Sequence, residues 1–232
     1  MPLFFIDYWY LVLVVPALIV TGWAQYKVHS TFKKYSQVST RSGMTGAEAS
    51  MVIQRENGIQ VPLQQVGGSL TDHYDPRSNV IRLSDPVYAV RSVSAIGVAA
   101  HETGHALQYA DGYGPIKLRS AIVPVTQFAS SISIFLILFG LFMYEPLAWL
   151  GVAFYGFSVV FQLVTLPVEF NASARAIRAL RAGGQMTEEE LAGVKKVLTA
   201  AAMTDVAALF LSLMNFLRVL LIVGGRGNRR DR

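Results

Sequence analysis

Three uncharged runs constrain this chain more than any other feature. Asp7 and Lys27 bracket 19 residues without a charge, Arg119 and Glu145 bracket 25, and Glu145 and Glu169 bracket 23. A helix crossing the hydrocarbon core needs about 20 mainly apolar residues, and each run meets that length. Trp9, Tyr10, Trp23, Tyr144 and Trp149 fall near the expected ends, where interfacial aromatics belong. The first run has no basic start and no small-x-small cleavage site, so it reads as a retained anchor and not as a signal peptide. Only 15% of the residues are charged, against about 25% in an ordinary soluble domain. A disordered chain is excluded, and a purely soluble globule is disfavoured.

A fourth segment, 206–225, is apolar but carries Asn215 and Arg218, and only 12 uncharged residues separate Asp205 from Arg218. A charge at mid-membrane is costly. Spanning, lying in the interface and packing on another helix all stay open for this segment. The expectation is therefore three or four membrane helices.

Basic residues set the orientation. Lys27, Lys33, Lys34 and Arg41 follow the first run, Lys117 and Arg119 precede the second, and Arg175, Arg178 and Arg181 follow the third. Positive residues gather on the cytoplasmic side, which places 27–119 inside and the N-terminus outside. The tail RGNRRDR conflicts with this if the fourth segment spans. The net charge of +5 thus reads as topology, and no nucleic-acid partner is expected.

The chain divides on this reading into five parts: an anchor at 1–26, a small domain at 27–119, a transmembrane hairpin at 120–168, a helical segment at 169–204, and a hydrophobic helix with a basic tail at 205–232. Within 27–119, Thr45 and Glu48 form a capping box, and Asn57-Gly58 ends the helix they open. Strands are expected at about 59–66, 69–74 and 79–83, with a turn at Asp75–Asn79. A helical run then starts at Ser84-Asp85-Pro86 and closes at Asp111-Gly112. Thr187 and Glu190 form a second capping box after the break at Ala182-Gly183-Gly184.

The chemistry lies in His101-Glu102-Thr103-Gly104-His105. On a helix the two histidines stand one turn apart on one face, so both imidazoles can grip one Zn²⁺. Glu102 lies about 100° round from His101 and is the candidate general base. The chain has four histidines and no cysteine, so half of its imidazoles fall in this window and no thiolate is available. A catalytic zinc site wants three protein ligands, so a His, Asp or Glu must complete it. His29, His73 and Glu169 are candidates. Glu169 is favoured, because the helix continuing through it carries Ala172 and Ala176 on the same face and allows close packing on the histidine helix.

AAHETGHALQ, with TDHYDPRSNVIRLS upstream and LPVEFNASARA downstream, resembles the bacterial YugP-type neutral zinc metallopeptidases over nearly the whole chain. More distantly it is similar to the Ste24/HtpX membrane metalloproteases. The resemblance implies a mainly helical α+β membrane protein with a zincin-like cytoplasmic domain that holds a short sheet. It implies a gluzincin-like metalloendopeptidase of the bacterial inner membrane, with His101, His105 and Glu169 on zinc and Glu102 as base. Its partners would be lipid and a membrane-associated protein or peptide substrate. In the distant relatives an Asp stands where this chain has Ser173, so outer support for a zinc-ligating histidine is expected elsewhere. In zincin-like proteases an edge strand pairs with the substrate backbone. Residues 69–74 or 79–83 are candidates for that strand, which makes His73, Asn79 and Val80 candidate substrate contacts. Arg175 and Arg178 are candidates for the oxyanion or for lipid headgroups. The competing reading is a membrane scaffold or assembly factor that keeps zinc without proteolysis. A transporter is disfavoured, because Glu145, Asp205 and Arg218 form no conduction path.

Overall fold

The computed structural model describes residues 7–230, with side chains to 225. The reading of the first six residues, and that of the charges in the tail, lie outside what is described. The fold is mainly helical with one three-stranded sheet. Its elements run α1 (Val15–Ser36), entered through a π-helical turn at Tyr10–Val14, α2 (Gly46–Glu56), β1 (Leu63–Val66), β2 (His73–Asp75), β3 (Val80–Ser84), α3 (Asp85–Tyr88), α4 (Val93–Ala110), α5 (Gly114–Phe142), α6 (Glu145–Ala182) and α7 (Glu188–Arg230). They form two compact units.

One unit comprises Tyr26–Lys117 and Pro167–Met203. Helix α4 is its axis, with 14 of 18 residues buried, so it is a core helix and not a surface one. The small residues of SAIGVAA make that possible, because neighbours can approach from every side. One flank packs on Ile53, Leu180, Leu191, Val194 and Leu198 from α2, α6 and α7. The other packs on Ile81, Leu83 and Val87 from the sheet and α3. Buried Ser50 on α2 meets Thr103 on α4 at 2.6 Å, so even the polar contact across this interface is satisfied.

The capping box of α2 is formed: Glu48 N–H donates to Thr45 Oγ1 at 3.2 Å, and Thr45 N–H to Glu48 at 2.8 Å. These bonds, the backbone amide's first, hold the Glu48 carboxyl below its ordinary range. Thr187 and Glu190 repeat the arrangement ahead of α7.

The sheet order is β1-β3-β2, with β1 parallel and β2 antiparallel to β3. This revises two expectations. Strand β3 is central, with Ile81 and Arg82 paired on both sides, so the 79–83 segment is not an edge that a substrate strand can join. Val80 sits within it, buried and paired with Asp75. The edge strands are β1 and β2. The expected single helical run from Ser84 to Asp111 is also broken. Val93 N–H donates to Val38 O, and Ser39 bridges Ser92, which splits off the short α3 and leaves Ser92 to cap α4.

Gly104 is where α4 and α6 touch most closely. A Cβ there would lie 2.6 Å from the Ala172 carbonyl oxygen, a backbone atom that cannot swing aside. Gly104→Ala is therefore expected to lower stability by about 1–3 kcal/mol through overpacking. Thermal unfolding of the detergent-solubilised protein measures it.

The other unit takes in 7–25, 118–166 and 204–230. Gly140 and Gly151 bring α5 and α6 together, since a Cβ on either would meet the other helix's backbone or side chains under 3 Å away. Ile137, Leu141, Ala148, Val152 and Val223 form its core. Arg218 on α7 donates to Asp7 at 2.7 Å and lies over the Tyr10 ring. The charge that interrupts the fourth segment is thus paired. Among the described residues four helices are long and apolar enough to cross a membrane: Tyr10–Ser36, Gly114–Phe142, Glu145–Ala182 and Glu188–Gly225.

Candidate metal centre

His101 and His105 project from one face of α4, with ring centroids 4.7 Å apart. Glu169 reaches them from α6. Its Oε2 lies 3.2 Å from His101 Nε2 and 3.3 Å from His105 Nε2. Three atoms bound about 2.0–2.1 Å from a tetrahedral zinc stand roughly 3.3 Å from one another. The two separations to Glu169 match.

The outer nitrogens of both rings are engaged. His101 Nδ1 lies 3.1 Å from Ser173 Oγ, and His105 Nδ1 lies 3.0 Å from Gln108 Oε1. The carboxamide oxygen of Gln108 can only accept, because its Nε2 donates to Val168 O and Asn171 Oδ1 at 2.8 and 3.0 Å. His105 therefore carries its proton on Nδ1 and turns the Nε2 lone pair inward. With the same tautomer at His101, three acceptors converge on one point, an arrangement that a cation satisfies. His105 shows the same bias. Burial pushes its pKa down, but Glu169 and then Glu102 outweigh this and leave it raised. The donor set fits a borderline ion such as Zn²⁺.

Glu102 is buried one position from His101. Its Oε2 accepts from the Tyr74 N–H at 2.9 Å, so the edge strand β2 fixes the carboxylate. His101 and Glu169 keep side-chain exposures of 16% and 14%, enough for water to reach the cluster.

The other sequence candidates stand elsewhere. His73 lies on the sheet face opposite the Tyr74 side chain, by strand alternation, with its ring against the Thr71 carbonyl and Arg82. Asn79, at φ +50°, accepts from the Tyr74 hydroxyl at 2.8 Å and shapes the turn. Arg175 donates to Asn171 Oδ1 at 2.8 Å, pairs with Asp111 and lies over the Tyr113 ring. His29 lies on α1, outside the three-residue cluster.

Ser173 corrects an expectation. Support for His101 comes from that very position, with a hydroxyl in place of a carboxylate. Gln108 and Asn171 went unread, although Gln108 sits three residues after His105, the spacing of helix neighbours. Together they link His105 through Gln108 and Asn171 to Arg175 and Asp111. Gln108→Leu is expected to weaken zinc affinity about 10–100-fold, the usual loss when an outer partner of a ligand is removed. Competition with a fluorescent chelator measures it.

Residues 10–224 match the family described as "Putative neutral zinc metallopeptidase". The chain is 49% identical over 220 residues to "Putative membrane protease YugP" of Bacillus subtilis (strain 168), covering 94% of this chain and 98% of that protein. No solved structure matches. The chain therefore belongs to this family, the one described as "Putative neutral zinc metallopeptidase", together with the YugP protein.

Proposed function

We propose that this protein is an integral-membrane zinc metallopeptidase whose site faces the cytoplasm of a bacterial cell. The observation that carries the reading is the convergence of His101 Nε2, His105 Nε2 and Glu169 Oε2 beside the buried Glu102. A purely structural zinc site needs no such base. His101, His105 and Glu169 hold the ion. Zinc, when bound, acidifies water and polarises the scissile carbonyl. Glu102 takes the proton from the attacking water and later hands it to the leaving amine. The Tyr74 amide keeps that carboxylate aimed while the site is empty of substrate. Strand β2, at the edge of the sheet, offers the backbone that a substrate strand can join.

Substrates on this reading are membrane proteins, their juxtamembrane segments, or peptides delivered to the cytoplasmic face. Among the described residues, four helices of spanning length and the paired Arg218 support a four-span arrangement, and the basic residues flanking α1, α5 and α6 support the cytoplasmic orientation. The protein in lipid nanodiscs, loaded with zinc, is expected to cleave members of an unstructured peptide library. A chelator should stop cleavage, and added zinc should restore it. Survival of the whole library with zinc stoichiometrically bound would sink the peptidase reading.

A further inference from the structure

Helix α5 carries a polar patch that the peptidase site does not use. Thr126, Gln127, Ser130 and Ser131, with Val123 and with Phe161 of α6, line a recess of about 360 Å³. Thr126 is only 8% exposed and its hydroxyl has no hydrogen-bond partner. The Gln127 carboxamide is exposed at the rim and, among the described residues, also makes no hydrogen bond. Ser131 bonds only back to the Gln127 carbonyl of its own helix.

In water such a patch would be ordinary. This inference rests on the membrane reading above. Gln127 lies eight residues beyond Arg119, about 12 Å along the helix, well inside the hydrocarbon core. There a carboxamide and a hydroxyl find no water and must find protein.

We propose that the recess is a docking face for a second copy of this chain. Two copies inserted the same way are related by a two-fold axis along the membrane normal, so each presents its patch at the other's depth. The patch is its own complement. A carboxamide both donates and accepts, as do the hydroxyls of Thr126 and Ser130. Gln127 of one protomer meets the recess of its partner, and the partner's Gln127 meets the recess of the first. Ser130 and Ser131 beside Gln127 are small, so the backbones can come close. A partner of another sequence would need a polar group at this same depth, whereas the second copy has one there by symmetry.

The chain has no cysteine, so single introduced thiols report without background. Ile134, one turn beyond Ser130, is exposed on the recess side, and Val125 is exposed about 180° round the helix from it. Oxidising native membranes should cross-link Ile134→Cys into a dimer and leave Val125→Cys monomeric. Adding Gln127→Leu to Ile134→Cys should cut the cross-link at least about fivefold. Equal cross-linking at both positions, no cross-linking at Ile134, or indifference to Gln127→Leu would each overturn the proposal. Alkaline extraction of the same membranes separates the two readings. Ile134→Cys protein that stays in the membrane without cross-linking refutes the dimer alone, and protein that washes out refutes the membrane reading beneath it.

Discussion

Glu102→Gln is expected to abolish measurable cleavage while zinc stays bound. The change removes the base and little else. Glutamine is nearly isosteric, and its carbonyl oxygen can still accept from the Tyr74 N–H that the carboxylate now takes at 2.9 Å. The ligands on the same helix keep their outer partners, Ser173 and Gln108. Positioned general bases contribute about 10²–10⁴-fold in rate, and here the same group also serves the leaving amine, so a loss of at least about 10³-fold in kcat is anticipated. Single-turnover cleavage and metal analysis on the same sample check it. Undiminished cleavage with full zinc would remove Glu102 from the mechanism. Glu102→Asp should fall between the two, because the carboxylate retreats by one methylene and loses reach toward both water and the Tyr74 amide.

The parts of the site that lie on one helix were legible from spacing. His101, Glu102 and His105 need only 3.6 residues per turn to be placed, and Gln108, which went unread, obeys the same arithmetic. Helix ends were legible for the same local reason: Thr45, Glu48, Asn57, Thr187 and Glu190 act on backbone groups within one turn. What depends on two distant segments meeting was harder to read. The sheet order turned on β1 joining β3 in parallel, a pairing that no hairpin turn specifies, and that pairing covered β3 and so decided between the candidate edges 69–74 and 79–83. The Tyr74 amide was invisible, because every residue has an N–H and only the fold says which one faces Glu102. The role of Arg218 likewise needed Asp7, 211 positions away. The break between α3 and α4 came from a bridge to Ser39, again a contact remote in sequence.

Glu169 is the ligand that sequence spacing alone could not assign, and replacing it carries the second large expected effect. Glu169→Gln should lower zinc affinity by well over a hundredfold, more than the loss of an outer partner. A neutral carboxamide is a poor zinc ligand, and its NH₂ can donate to the Nε2 lone pairs that the ion would occupy. The measurement is the rise in melting temperature that zinc gives each protein over its own metal-free state. Binding to the folded form alone stabilises by RT ln(1 + [Zn]/Kd), about 4 kcal/mol at a thousandfold excess over Kd. Wild type should show that rise, and Glu169→Gln should show almost none at the same free zinc. His29→Ala and His73→Ala should both retain the full rise, since one sits on α1 and the other is turned toward Arg82 on the far face of the sheet. A full zinc-dependent rise in Glu169→Gln, or its loss in His73→Ala, would move the third ligand away from α6. The contact of Gly104 with Ala172 would then have to be explained without the metal, because its present sense is that it brings Glu169, three residues before Ala172, within 3.3 Å of both histidines.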